Sequence, residues 1–186
     1  MSGGDPLPVS LGDGALVRRY VVDDLDAIWA VASGERDRLG EWMPWVEATT
    51  SIDVQRVWLE KVIAEPEGLD GCGIFVGGEL AGGVGLSWDP YGIAGEIGYW
   101  VRHPFEGRGL VTKAAHEFTR LAFEHVGLNR VVIRAGVGNL RSRAVAERLG
   151  YLPESVERGG GRGLGGFYDI VVYALLADEW RSRAEP

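Results

Sequence analysis

His103–Ala115, HPFEGRGLVTKAA, decides how the rest of the chain is read. Pro104 ends the preceding element and Gly107 and Gly109 permit a tight turn; Leu110, Ala114, Phe118, Leu121 and Ala122 then share one face of a helix running to about Val126. Gly127 stops that helix, and Val131–Arg134, VVIR, reads as a buried strand. On the near side of the turn, Glu96–Arg102, EIGYWVR, alternates as a strand. Strand, glycine turn, helix and strand within about 40 residues form a βαβ unit, so the two strands should run parallel. A glycine turn at a helix start also leaves several N–H groups without intrahelical acceptors, at the positive end of the helix dipole. Such donors suit a diphosphate, and at Gly107 and Gly109 no side chain holds it off the backbone.

Upstream, Ala15–Tyr20 reads as a first strand, and Asp23 or Asp24 can cap a helix with Leu25, Ile28, Trp29 and Ala32 on one face. Leu39–Val46, LGEWMPWV, is apolar and aromatic but broken by Pro44, hence a loop or a helix end. Ser51 or Asp53 caps a second helix carrying Val54, Val57, Trp58 and Val62, closed by Pro66 and Gly68. Gly73–Val76 and Leu80–Trp88 flank a Gly77–Gly78 turn, and Asp89–Gly92 turns the chain into Glu96–Arg102, completing an antiparallel meander. Downstream, Asn139 caps a short helix ending at Leu149–Gly150, followed by strands at Tyr151–Glu157 and Phe167–Leu176 around the glycine-rich stretch Gly159–Gly166. The expectation is one α+β domain over residues 1–186, with 1–14 a loose N-terminal segment. Its mixed central sheet is an antiparallel meander followed by a βαβ unit, flanked by helices.

The bulk properties agree with an ordinary globular enzyme or binding module. The 186 residues are 46% hydrophobic and 25% charged, with a net charge of −8 that argues against a nucleic-acid partner. An acidic surface attracts a cationic acceptor at long range, and the same charge serves solubility. The first ten residues carry no basic and apolar signal pattern and no apolar run is long enough to span a bilayer, so a cytoplasmic protein without a membrane partner is expected. A single cysteine, Cys72, rules out an internal disulfide and a cysteine zinc site, and His103, His116 and His125 lack metal-ligand spacing; no metal is expected. A dinucleotide fold fits poorly, because the glycine turn follows a meander, Thr112 stands where a third glycine belongs, and the next strand ends in Arg134-Ala135-Gly136 rather than an acidic residue. No Gly-Lys-Ser/Thr supports a phosphate-loop NTPase.

A second segment sharpens the first. In Val137–Tyr151, VGNLRSRAVAERLGY, Asn139 is a natural N-cap, Ser142 lies one turn inside, and Val145, Ala146 and Leu149 face the core. Together the two segments resemble the GCN5-related N-acetyltransferase (GNAT) superfamily. Its cofactor motif, Gln/Arg-x-x-Gly-x-Gly/Ala, aligns with Glu106-Gly107-Arg108-Gly109-Leu110-Val111, and its next block with Asn139, Ser142 and Glu147–Tyr151. AGEIGYWV, LGEWMPWV and FYDIVVYALLADEW look like the branch of RimJ/RimL-type ribosomal-protein N-terminal acetyltransferases, so the resemblance spans about Leu16 to Trp180. Glu106 and Val111 depart from the motif. A carboxylate facing a diphosphate weakens its binding, unless Glu106 points away or Arg108 compensates.

The resemblance implies transfer of an acetyl group from acetyl-CoA to a primary amine, by direct attack in a ternary complex. The acceptor would be a protein N-terminal α-amine or a small-molecule amine; a non-catalytic acyl-CoA sensor on the same fold is the alternative, and a homodimer is compatible with either. Acetyl-CoA would bind where the strands after Glu96 and before Ala135 splay apart, its pantetheine arm along Val101, Arg102 and His103, and its diphosphate on Gly107, Arg108, Gly109, Leu110, Val111 and Thr112. Asn139 would contact the cofactor arm, and Ser142 would donate to the leaving sulfur. Glu96 is the candidate base, acting through water. An α-amine, with a pKa near 8, is about 10% neutral at pH 7, against roughly 0.04% for a lysine amine, so an α-amine needs little help from a base. Trp42, Trp45, Tyr168 and Asp169 are candidate walls of the acceptor site, and Tyr151 reads as core.

Overall fold

The computed structural model describes residues 4–65 and 68–183; Pro66, expected to help close the second helix, lies outside them. Eight strands form one sheet: β1 (Val9–Gly12), β2 (Ala15–Arg19), β3 (Cys72–Val76), β4 (Glu79–Trp88), β5 (Ala94–Val101), β6 (Arg130–Gly136), β7 (Leu152–Gly163) and β8 (Gly166–Leu176), in the order β1-β2-β3-β4-β5-β6-β8-β7. Every neighbouring pair is antiparallel except β5 and β6. The helices are α1 (Leu25–Gly34), α2 (Arg36–Gly40), α3 (Pro44–Ala48), α4 (Ile52–Ala64), α5 (Leu110–Arg120), α6 (Leu140–Arg148) and α7 (Ala177–Ser182). This is the α+β architecture with a mixed sheet that the sequence predicts.

Three local expectations need correction. The segment 1–14, read as loose, contains β1, which pairs with β2 and leaves Leu11 buried. The stretch Leu39–Val46 is the end of α2 and a turn at Glu41–Met43, as a loop or helix end would be, but at Pro44 it starts a further helix, α3, where proline's missing N–H costs nothing. The glycines from Gly159 do not form a long loop: β7 continues through a bulge to Gly163, and the turn is left to Leu164-Gly165. A glycine-rich strand with one bulge replaces an expected break, because glycine permits the extra residue without ending the pairing.

Both sheet faces are covered in part. α5, its π-helical continuation at Leu121–Val126, and α6 pack on one face with Ile97, Phe118, Ile133, Tyr151 and Tyr173 buried among them. On the other, α1, α3 and α4 enclose a smaller core of Tyr20, Leu25, Ile28, Val46, Leu59 and Phe75 over the β2–β4 half. Strand alternation assigns the residues of β5 to these faces: Ile97, Tyr99 and Val101 toward α5, and Glu96, Gly98 and Trp100 toward the opposite side.

Candidate active site

The sheet opens at its middle. β5 and β6 pair in parallel only through Ala94–Arg130, Gly95–Val131 and Glu96–Val132, although β5 runs on to Val101 and β6 to Gly136. Their outer neighbours hold them apart, since β5 stays paired with β4 as far as Val101 and β6 with β8 as far as Gly136. The Arg102 N–H donates to the Ala81 carbonyl, 2.8 Å away, which turns the main-chain groups of Trp100 and Arg102 toward β4 and those of Tyr99 and Val101 toward the opening. Unpaired strand edges inside a sheet are a template for an extended partner. His103 does not contribute its N–H, which is held by the Glu35 carboxylate at 3.0 Å. Of the expected Val101–His103 segment, Val101 alone turns its main chain to the gap, and Tyr99 joins it.

The glycine turn lies beyond the end of β5. Gly107 and Gly109 have φ of 74° and 71°, a left-handed conformation that side-chain-bearing residues rarely adopt, so glycine is required by the backbone as well as by access. Among the described residues, no protein acceptor is found for the N–H groups of Gly107 through Thr112, which lie at the start of α5. A run of such donors opening an eleven-residue helix fits a diphosphate. Thr112 also accepts a hydrogen bond from Arg148 at 3.0 Å, tying this turn to α6.

Glu106 is compensated, though not by Arg108. Its carboxylate, 20% exposed, is gripped by Arg38 (2.8 Å) and by Arg141. Arg38 also donates to the Val101 carbonyl at 2.7 Å, so one guanidinium joins α2, the glycine turn and the open edge of β5. Arg108 instead lies over the Phe105 ring, 5.0 Å from its centroid. Two arginines neutralise the carboxylate that the motif leads one to fear.

Across the opening, Asn139 caps α6, its side-chain oxygen accepting from the Ser142 N–H at 3.1 Å. The Ser142 hydroxyl faces Tyr99 of β5: the Tyr99 hydroxyl donates to the Ser142 carbonyl (3.0 Å) and lies 3.2 Å from Ser142 Oγ. Burial pushes the Tyr99 phenol up to about 12, so it is a neutral hydroxyl at physiological pH. Tyr151 is core, 2% exposed and bonded to Thr119 at 2.7 Å.

On the face opposite α5, an open groove of about 350 Å³ runs past Ser87, Trp88, Glu96, Val132, Arg134 and Val172. Glu96 is 50% exposed by area yet walled by the groove. That enclosure pushes its pKa above the ordinary carboxylate value, Arg134 (4.0 Å) pulls it down, and Glu157 adds a smaller upward push. Arg134 makes a two-pronged pair with Glu157 of β7, which leaves only its Nε side toward Glu96. Beyond the ladder, at the open end of the splay, Trp42 meets Tyr168 edge-on at 5.2 Å and presses against Gly136 and Gly138, where a Cβ at Gly136 would overlap its ring. Tyr168 donates to the Trp42 carbonyl at 2.8 Å, and Trp45 packs against Trp100 at 6.1 Å. Asp169 does not join them: alternation along β8 points it the other way, and its carboxylate accepts from the Gly159 N–H at 2.8 Å.

Tyr99, Trp100, Arg38, Arg134 and Glu157 were not among the residues singled out in the sequence. A strand reading could have found Tyr99, because in EIGYWVR it lies three positions after Glu96 and so on the opposite face, on the helix side. Nothing local marks Arg38 or Glu157, whose partners lie 68 and 23 residues away. Among the described residues no group of three or more His, Cys, Asp or Glu is placed to hold a metal, and no helix is long and apolar enough to cross a membrane.

Comparison with known proteins identifies the family. Residues 15–152 match the family model described as an acetyltransferase (GNAT) domain. The chain is 39% identical over 169 residues, 88% of its own length and 92% of the other's, to a Bacillus subtilis (strain 168) protein named "Putative ribosomal N-acetyltransferase YdaF". It is 28% identical over 106 residues, 56% of its length and 59% of the other's, to the ribosomal-protein-serine acetyltransferase of Escherichia coli (strain K12). A crystal structure described as a probable acetyltransferase superposes with a TM-score of 0.86 at 34% identity, covering 94% of this chain and 99% of that one. The fold is shared with a RimL acetyltransferase in complex with coenzyme A, at a TM-score of 0.85 and 22% identity over 93% and 99% of the two chains. The catalytic reading thus displaces the acyl-CoA sensor: acetyl-CoA is the co-substrate, and its acetyl group goes to an amine. The chain belongs to the GNAT acetyltransferase family, in its RimJ/RimL-like branch.

Proposed function

We propose that this enzyme acetylates the α-amine of a protein N-terminus, which reaches the thioester along the groove past Glu96. The observation that carries this reading is the groove itself: it is open, lies on the face opposite the diphosphate-binding turn's helix, and leads to the point where β5 and β6 part. An open groove admits a chain end whose remainder stays outside. The names of the 39% and 28% identical relatives, both ribosomal acetyltransferases, point the same way.

Acetyl-CoA supplies the acetyl group as an activated thioester. The unpaired main chain of Tyr99 and the Val101 N–H hold its pantetheine arm, the Val101 carbonyl being taken by Arg38, and the N–H groups from Gly107 to Thr112 hold its diphosphate. Glu96 takes a proton from the incoming ammonium through water, a role its raised pKa suits, because a carboxylate with a higher pKa is a stronger proton acceptor. The neutral amine attacks the carbonyl carbon, the nitrogen gives up its remaining extra proton to water as the amide forms, the carbon–sulfur bond breaks with its electron pair on sulfur, and the Ser142 hydroxyl donates a hydrogen bond to the departing thiolate. Two aromatic pairs outside the groove's lining, Trp42 with Tyr168 and Trp45 with Trp100, are assigned as further walls of the acceptor's approach.

The test is thiol release from acetyl-CoA with three sets of acceptors: peptides with free α-amines, peptides with blocked α-amines and a lysine, and small amines. Free α-amine peptides should give kcat/KM at least about tenfold above both other sets. Turnover highest on a small amine would overturn the protein-acceptor reading.

A further inference from the structure

Tyr99 is the one polar side chain of β5 that lies against α6 across the splay. Its hydroxyl makes two contacts with a single residue, donating to the Ser142 carbonyl at 3.0 Å and accepting from Ser142 Oγ at 3.2 Å. Because the phenol proton is committed to the carbonyl, the phenol oxygen is left as an acceptor, and the serine proton points at it. From the other side Asn139 fixes the Ser142 N–H at 3.1 Å. A serine hydroxyl is otherwise free to choose among three staggered rotamers, and on a helix it can turn back onto the carbonyl of the preceding turn. The Tyr99 contact holds it against β5, the strand that borders the opening. We infer that Tyr99 is a positioning residue for the acetyl transfer: it holds the Ser142 hydroxyl toward the gap, from which the hydroxyl's hydrogen passes from the phenol oxygen to the thiolate as the carbon–sulfur bond breaks.

The inference rests on the reading of Ser142 as the donor to the leaving sulfur. No covalent chemistry is asked of Tyr99. The electron pair of the broken bond stays on sulfur, the amine proton leaves by way of water and Glu96, and Ser142 and Tyr99 change only hydrogen-bond partners. A phenol is suited to this, since burial keeps it protonated throughout the working range and so keeps its proton on the Ser142 carbonyl. Phenylalanine at 99 would preserve the ring that packs against the α5 core while removing both contacts.

The experiment compares wild type, Tyr99→Phe, Ser142→Ala and the double variant, each checked for folding by thermal melting. Two quantities are read: kcat with acetyl-CoA in excess, and the pKa of the bound coenzyme A thiol, taken from the pH dependence of its affinity in calorimetry. Tyr99→Phe should lower kcat about tenfold, with KM for acetyl-CoA changed less than about twofold. It should also raise the bound thiol's pKa by roughly one unit, as Ser142→Ala does. The double variant should match Ser142→Ala alone, because a positioning group has nothing left to position. If the two losses multiply, or if Ser142→Ala shifts the thiol pKa and Tyr99→Phe leaves it at the wild-type value, Tyr99 does not act through Ser142. If Ser142→Ala itself changes neither quantity, the assignment of Ser142 as donor fails first and the inference falls with it.

Discussion

The two halves of the active site are built differently. The half proposed to hold acetyl-CoA rests mainly on backbone, six N–H groups from Gly107 to Thr112 and the open edge of β5, with the Asn139 side chain capping α6 three residues before Ser142. The half proposed to face the acceptor is made of side chains gathered from distant segments, Glu96 with Arg134 and Glu157, and Trp42 with Tyr168, which are 126 residues apart. Backbone geometry tolerates substitution except where φ is positive or a donor is blocked. A side-chain constellation changes with any one of its members. The first half is therefore expected to tolerate most substitutions, and the second to be the more sensitive to them.

The contrast can be broken most sharply at Gly109. Gly109→Asp would add a Cβ at φ 71° and a carboxylate among the diphosphate donors, so coenzyme A affinity in calorimetry should fall at least about 100-fold, roughly 2.7 kcal/mol, with circular dichroism unchanged. Retained affinity would mean that the turn is not the diphosphate site. Trp42→Ala attacks the other half. It removes the ring lying on Gly136 and Tyr168, and should raise KM for the acceptor about tenfold while coenzyme A affinity stays within about threefold. Equal losses for both substrates would show that the halves are not separable.

Glu157→Gln sharpens the comparison through pH. It removes a carboxylate that pushes the Glu96 pKa up and frees Arg134, which pulls it down, so both changes lower that pKa. The acid limb of kcat/KM should move to lower pH by a fraction of a unit, and an unmoved or raised limb would remove Glu96 as the base. The smallest effect is expected at Glu106→Gln. Because Arg38 and Arg141 already neutralise this carboxylate, coenzyme A affinity should tighten by no more than about threefold, as isothermal titration can resolve.

Legibility in the sequence follows the same division. The βαβ unit, the glycine turn, the Asn139 cap and the alternation of β5 were all readable, because each depends on residues within one turn or one strand of each other. The N-terminal strand β1 was missed because its four residues, VSLG, carry a weak pattern and gain their hydrogen bonds from β2. Continuation of β7 into the glycines was missed because a glycine run signals a loop locally, and only pairing with β8, with the Leu164 N–H donating to the Gly40 carbonyl at 2.8 Å, extends it. Asp169 was assigned to the acceptor wall for its charge and for its neighbour Tyr168. Period-two alternation sends it to the other face.

By itself, then, the sequence determined the antiparallel meander, the βαβ unit, the glycine turn before α5 and the capping residue of α6, since dihedral preference, periodicity and capping act over a few residues. Tertiary structure alone decided that Arg38 and Arg141 neutralise Glu106, that Arg134 stands between Glu96 and Glu157, and that Tyr99 meets Ser142. Those contacts join chain segments 23 to 68 residues apart, and ionic and hydrogen-bonding partners at that separation are chosen by how the sheet and helices pack, which no local pattern encodes.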